Sequence, residues 1–429
     1  MNQFQCGVAR AVITPAVGGQ LYGYRPDIFS ESVADDLTVT AFYLEQGNVK
    51  ALLLSATVCL IQTALSREIL AQIEQRFGIP KTSCILSATH THSGPNTAGQ
   101  VGWGDIDRTY CNEIFLPAIL KATEQAIKSA VPARMGVARG ESLVGINRRE
   151  LNENNELKLG QNPWGCFNPE MTILAFADQS GALIANLIHY GCHGTAAGRN
   201  HEITRDWSGA MIDALEQHSG GITAFFNGPE GDVGPRLTNG KTVGDLSYVH
   251  ELGAIAAADG LRIFDQIEGY ADVTLSTSHK ALSIPLRKRL GREEAAALLE
   301  QYKNETVNRK GMIRDHFEAV VRSYEEDFSD QPAAAMEQTL IALNEIVFAS
   351  FPYELFSEIG LRIDRAAEQK VLSLSNANGS EGYFITKDAV CRGGYEVEMF
   401  LYGHLQPFDE DADFYLMQET VKHIQSLKE

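Results

Sequence analysis

Three times this chain runs a short apolar stretch straight into a polar, glycine-bearing loop, and that recurrence restricts the fold more than any other feature. Cys84-Ile85-Leu86 enters Ser87-Ala88-Thr89-His90-Thr91-His92-Ser93-Gly94-Pro95. The run from Ala182 to Ile188 enters His189-Tyr190-Gly191-Cys192-His193-Gly194-Thr195. Ala224-Phe225-Phe226 enters Asn227-Gly228-Pro229-Glu230-Gly231-Asp232-Val233-Gly234-Pro235. Runs this short and this apolar read as buried strands. Polar groups gathered where strands end are typical of active sites on open α/β sheets, because strand ends hold loops rigidly beside a crevice.

The intervening sequence fits that reading. Helical periodicity covers Thr63 to Phe77, Arg108 to Ser129, Trp207 to His218 and Tyr248 to Ile267, and Asp206 is placed to cap the third of these. Asp178-Gln179-Ser180-Gly181 separates two apolar runs as a hairpin turn would. The expected fold class is α/β, a mixed sheet core with flanking helices and the active site at strand ends. From Arg292 to about Gln338 the chain is charged, alanine-rich and helical in period, with Asn304 to Asp315 as a flexible break or lid. Expected divisions are an N-terminal α/β core over 1–270 with both histidine motifs, a helical insertion over 271–340 and a C-terminal α/β part over 341–429. All three belong to one catalytic unit, 1–429.

On an extended backbone alternate side chains share a face, which brings His90 and His92 to one site. One imidazole there suits a divalent metal and its neighbour a substrate carbonyl. Two such histidines alone are more often a hydrogen-bonded surface pair, so a metal site requires further ligands.

The ordered set of segments resembles the catalytic domain of the neutral (non-lysosomal) ceramidases, zinc amidases that cleave the fatty amide of ceramide. The set comprises Gly7 to Pro15, Tyr22-Gly23-Tyr24, Asp35-Asp36-Leu37, the Thr-His-Thr-His-Ser-Gly-Pro loop, Cys192-His193-Gly194-Thr195, Phe351-Pro352-Tyr353-Glu354, Gly382 to Thr386 and Gly393-Gly394-Tyr395-Glu396. The resemblance implies Zn2+ held by His90, His193, Glu354 and Tyr383. It also implies a substrate contact or acid/base role for His92, an oxyanion donor in Tyr395 and a substrate-positioning role for Arg148. Glu354 is expected at the start of a helix that follows the strand Ile346 to Phe351. The family carries a serine where this chain has Gly234, which excludes a serine nucleophile at that position. Attack by metal-bound hydroxide is the expected mechanism. Glu230, Asp232, Asp206 and His92 are all candidates for its general base.

Other polar residues take plainer readings. His189 is expected to be a satisfied structural histidine, His201 a loop residue, Asp232 a loop organiser, and Asp35 and Asp36 partners of backbone amides. Lysine and arginine number 36 against 55 acidic residues, a net charge of −19. That balance disfavours nucleic acid and anionic membrane surfaces. It also disfavours a strongly anionic substrate, unless Arg148, Arg149, Arg199 and Arg205 form a local basic patch. Seven cysteines without a Cys-x-x-Cys pair, and an N-terminus without a basic-then-apolar leader, make cytoplasm the expected location. No counterpart of the β-sandwich-like C-terminal domain of the ceramidases is expected, nor is stable membrane association.

The expected activity is therefore zinc-dependent hydrolysis of a linear amide in a small soluble substrate, with esters and lactams within the same chemistry. The alternatives are a ceramidase proper and a non-catalytic metal-containing binding protein.

Overall fold

The computed structural model describes residues 3–428. Its strands sort their side chains with period two, and that sorting generates the layers. In Thr38–Gln46, Val39, Ala41 and Tyr43 pack into one apolar cluster while Phe42 and Leu44 pack into another. Val49–Ala56 does the same, with Leu52 and Leu54 on the first side and Ala51 and Leu53 on the second. Strands buried on both faces need cover on both faces. Helices Thr63–Phe77 and Leu116–Lys128 cover one side; a second sheet covers the other.

The large sheet has eight strands in the spatial order Ile222–Asn227, Leu183–Tyr190, Glu170–Asp178, Val131–Glu141, Gln5–Val12, Thr38–Gln46, Val49–Ala56 and Cys84–Ala88. The pair at each edge is parallel and the interior pairs are antiparallel. The sheet curls until its two edges meet. Ser55 Oγ donates to Phe225 O (2.6 Å), and Asn227 Nδ2 donates to Thr89 O (3.2 Å). Phe42, near the middle, stacks edge-on against Phe226 at the rim, with ring centroids 6.0 Å apart. That closure brings the His90 and His193 loops, which leave strands far apart in the spatial order, to one place.

The second sheet has four strands: Leu275–Pro285, Ala333–Leu343, Ile346–Ser350 and Lys370–Leu374. Phe348 and Leu372 face Phe42, Phe176 and Phe226, while Val347 and Val371 face the helices Ser357–Ala366 and Ala412–Gln425. The order of layers is helices, sheet, sheet, helices. Burying an aromatic such as Phe348 completely stabilises the pairing of the sheets by about 1.5–3 kcal/mol. No helix among the described residues is long and apolar enough to cross a membrane.

The segment 271–340 is not a helical insertion. Only Arg292–Tyr302 and Asn308–Ser323 are helical, and a strand flanks the pair on each side. Ala333–Leu343 begins with three alanines, which favour helix in isolation. Eleven consecutive residues nevertheless pair with Leu275–Pro285, because the sheet gives the alternating Met336, Gln338 and Leu340 a buried face. The expected boundary at 340/341 falls inside this strand. The stretch 304–315 is likewise mostly the first turns of a helix, and Asn308 N is fixed to Gly102 O (2.6 Å). Glu354 does not start a helix: Glu354–Leu355 pairs parallel with Tyr383–Phe384, and the helix begins at Ser357.

Candidate metal centre

His90 is not on extended backbone. Its φ of 68° is left-handed, a conformation that costs a β-carbon residue energy and persists only where the surroundings impose it. Here the imposition is visible. His90 N donates to Val58 O (3.0 Å), Gly194 N donates to His90 O (3.2 Å), and His92 N donates to Gly194 O (3.0 Å). The two histidine loops are thus bonded to each other. The kink, not strand alternation, turns His90 and His92 together, with their Nε2 atoms 3.2 Å apart.

Each central imidazole is held by its far nitrogen. His90 Nδ1 lies 3.0 Å from Cys59 O; His193 Nδ1 lies 2.9 Å from Glu230 O and 3.0 Å from Val233 O. Carbonyls only accept, so these contacts assign the proton to Nδ1 and leave a lone pair on each Nε2. The lone pairs converge on Glu354, whose Oε2 is 3.1 Å from His193 Nε2 and 3.6 Å from His90 Nε2. Ligand atoms of His90, His193 and Glu354 lie within 4.8 Å of one another.

Burial keeps these rings neutral. It draws His90 down to about 3, against a rise from Glu354, and draws His92 and His193 well below the usual imidazole range. Burial also raises Glu354, while His90 and Arg148 oppose the rise. Glu354 Oε2 has no hydrogen-bond partner. A buried carboxylate oxygen facing imidazole lone pairs is unfavourable on its own and favourable around a shared cation. The donor set therefore fits a metal, and two imidazoles with a carboxylate suit zinc.

Around the cluster stand the other expected residues. Tyr383 is the strand partner of Glu354, and its hydroxyl accepts from Arg148 Nη2 (2.9 Å). Burial holds that phenol well above its usual pKa. Arg148 is buried, with Nη1 2.7 Å from His193 Nε2 and Nε donating to Glu396 Oε1 (3.0 Å). Burial works against its charge, but Tyr383, Glu396 and Glu354 hold the guanidinium ionised. Because Arg148 Nη1 faces the same lone pair as a cation would, loading the site requires Arg148 to yield that contact. Tyr395 stacks edge-on with Tyr383 at 5.8 Å and is also raised, by burial and then by Glu354, so it keeps its phenolic proton. A cavity of about 700 Å³ opens over His92, Arg148, Tyr383 and Tyr395.

Sequence reasoning missed three participants. Glu396 accepts from Arg149 Nη1 (2.5 Å) as well as from Arg148, anchoring both guanidiniums. Cys59 forms a second compact group with His90 and His92, although burial keeps its thiol protonated. Gly23, at φ 127°, lies so close to His92 that a Cβ there would meet Nδ1 at 2.4 Å; only glycine admits the ring. Among the candidate bases, Asp206 accepts from Ala196, Ala197 and Trp207 amides, and Asp232 accepts from Ser357 N and Asn147 Nδ2. Both carboxylates are occupied structurally. Glu230 is fully buried, accepts from Asn376 Nδ2 through Oε1 (2.6 Å) and leaves Oε2 unpaired; burial and Glu354 push its pKa well up.

Several plainer expectations hold. His189 Nε2 meets Ser373 O (2.9 Å), and His201 is an exposed loop residue whose Nδ1 meets Phe29 O (2.8 Å). Asp35 receives Thr204, Arg205 N and Arg205 Nε, while Asp36 accepts from the Thr14 hydroxyl instead of a backbone amide. Gly234 is sterically required, because a Cβ there would lie 2.6 Å from Thr242 Cβ.

Residues 4–247 match the family model for the neutral/alkaline non-lysosomal ceramidase N-terminal region. The chain belongs to the neutral/alkaline non-lysosomal ceramidase family. Similar curated proteins are neutral ceramidase A of Dictyostelium discoideum, 28% identical over 226 residues (48% of this chain, 31% of the relative), and neutral ceramidase of Pseudomonas aeruginosa, 24% identical over 232 residues (49% and 33%). The matched segment thus spans about a third of those relatives. The crystal structure of neutral ceramidase from Pseudomonas aeruginosa superimposes with a TM-score of 0.77 at 19% identity, covering all of this chain and 75% of that one. The family match holds His90, His92, Arg148 and His193; the fold match extends across Glu354, Tyr383 and Tyr395.

Proposed function

We propose that this chain is a zinc-dependent amidohydrolase acting on a small soluble amide. One observation carries the reading. His90 and His193 have their Nδ1 atoms pinned to backbone carbonyls and their Nε2 atoms aimed at the unpartnered oxygen of Glu354. His90, His193 and Glu354 hold the cation, with Tyr383 beside Glu354. When bound, zinc supplies Lewis-acid polarisation of the amide carbonyl and acidifies water. Tyr395 and Arg148 donate to the oxygen on which negative charge develops, each such donor contributing about 3 kcal/mol. Glu230 is the carboxylate to accept the proton of the attacking water, because Asn376 fixes its Oε1 while its Oε2 keeps no partner. The departing amine leaves with the proton taken from the water, and His92, neutral and facing the cavity, hydrogen-bonds the leaving nitrogen.

Elemental analysis tests the centre. About one zinc per chain is expected, lost in both His193→Ala and Glu354→Ala. A well-folded protein that takes up no zinc on incubation would sink the reading and leave a non-catalytic binding protein.

Family membership favours a second reading, cleavage of ceramide itself. Release of fatty acid from short-chain fluorescent ceramide, stimulated by detergent, would support it; a soluble-substrate enzyme gives none. We place the chain in the cytoplasm, a reading supported by seven unpaired cysteines, five of them buried.

A further inference from the structure

The wall of the catalytic cavity reverses the charge of the molecule. The chain carries 36 basic against 55 acidic residues, yet the cavity is lined by Arg148, Arg199 and Lys241 against a single carboxylate, Asp245. The four side chains are not equivalent. Arg148 is committed to Glu396, and Asp245 spends Oδ1 on the Ser247 amide and hydroxyl at the start of helix Leu246–Phe264. Arg199 and Lys241 have no ion-pair partner among the described residues. The other arginines of the anticipated basic patch are neutralised: Arg149 by Glu396, Arg205 by Asp35 and Asp213.

Beside these cations the wall is largely aromatic, lined by Tyr24, Trp103, Tyr248, Tyr383 and Tyr395. Leu159 and Val243 contribute aliphatic side chains to it. The Tyr24 hydroxyl, buried in this wall and within the electrostatic reach of Arg199, has no hydrogen-bond partner. A buried donor left unsatisfied costs about 1–3 kcal/mol, which an acceptor on a ligand restores.

We propose that the substrate is a small amide carrying an anionic group, and that Arg199 and Lys241 are the residues that select it. The proposal rests on the amide-hydrolase reading for its reaction but not for its recognition. The amide lies over the metal centre, and the anion points outward to the two cations, with the Tyr24 hydroxyl donating to it or to a neighbouring acceptor. In a chain of net charge −19, two unpaired cations at the mouth also reverse the local repulsion that an approaching anion would meet.

Calorimetric titration of the full chain with zinc supplied separates recognition from catalysis. The probes are N-acetylglycine, N-acetylphosphoethanolamine and the neutral N-acetylglycinamide. At least one anion is expected to bind about tenfold more tightly than the carboxamide, a difference of about 1.4 kcal/mol. The preference should fall to about one in Arg199→Gln/Lys241→Gln, and which anion binds better distinguishes carboxylate from phosphate substrates. Both residues are exposed, so the double variant should remain folded. Equal binding of all three probes overturns the proposal, as does a preference that survives the double substitution. Selective binding with no hydrolysis of the anionic amides leaves this assignment standing and removes the amidase. Hydrolysis of neutral and anionic amides at equal rates does the reverse.

Discussion

The floor and the mouth of the catalytic cavity are built by opposite rules. On the floor, His90, His193, Arg148, Glu354 and Tyr383 are almost wholly buried, and each is tied to the cluster or to backbone. At the mouth, Arg199 and Lys241 are exposed and have no partner among the described residues. A fixed floor keeps donors where charge develops during reaction. A loosely held mouth contributes attraction without rigid geometry, which suits selection by charge class. The difference separates what the site does from what it does it to.

Breaking the floor has the larger expected effect, and Glu396 is where it should break most severely. Its carboxylate sits between Arg148 and Arg149, and all three side chains are nearly inaccessible. Glu396→Ala removes the carboxylate of buried Arg149 and leaves Arg148 only Glu354 against its charge, a loss of about 3–5 kcal/mol. Denaturant unfolding should show a lower midpoint with an unchanged slope, whereas the same substitution at Glu398, partly exposed and paired with Arg309, should move it little. Equal shifts in the two variants would dissolve the distinction between a fixed floor and a solvated periphery.

A subtler change on the floor separates chemistry from metal binding. Tyr395→Phe removes one phenolic donor while leaving His90, His193 and Glu354 untouched. A fall in kcat of about 10²–10³ is expected, with KM and zinc content nearly constant. Unchanged kcat would remove Tyr395 from the reaction and shift the oxyanion role to Arg148. The mouth variants, by contrast, should act on binding by about tenfold.

Much of the floor was legible in the sequence because its residues follow apolar strands and sit in recognisable segments. The helices Thr63–Phe77 and Trp207–Ser219 also lie where periodicity put them, with Gly78 and Gly220 closing them in left-handed conformation. What could not be read depends on contacts between distant segments. Nothing local to Glu396 announces two arginines about 250 residues earlier in the chain. The left-handed His90 has no marker either, since it is imposed by Val58 and Gly194. Likewise, the alanine run at 333 becomes a strand only because Leu275–Pro285 lies beside it. The curl that joins the sheet edges belongs to the whole sheet and to no one segment.

His189 and His193 share one strand-and-loop segment, and they give the smallest and most discriminating test. His189 Nε2 meets the Ser373 carbonyl, and burial draws its pKa down to about 4. The unfolded chain binds that proton near pH 6.5, so between these values it carries more protons than the folded chain. Stability contributed by neutral His189 is complete above the unfolded pKa and is lost as pH falls toward the folded one. From pH 7 to 5.5 the loss amounts to about 1 kcal/mol. Buried His316 and His423, also drawn to about 4, add to the wild-type slope in the same window, so the informative quantity is the difference between wild type and His189→Gln. That difference should shrink as the pH is lowered, while zinc content remains that of the wild type. A variant that lost zinc would place His189 in the metal centre, and one with an unaltered pH slope would show that the imidazole is already charged in the fold.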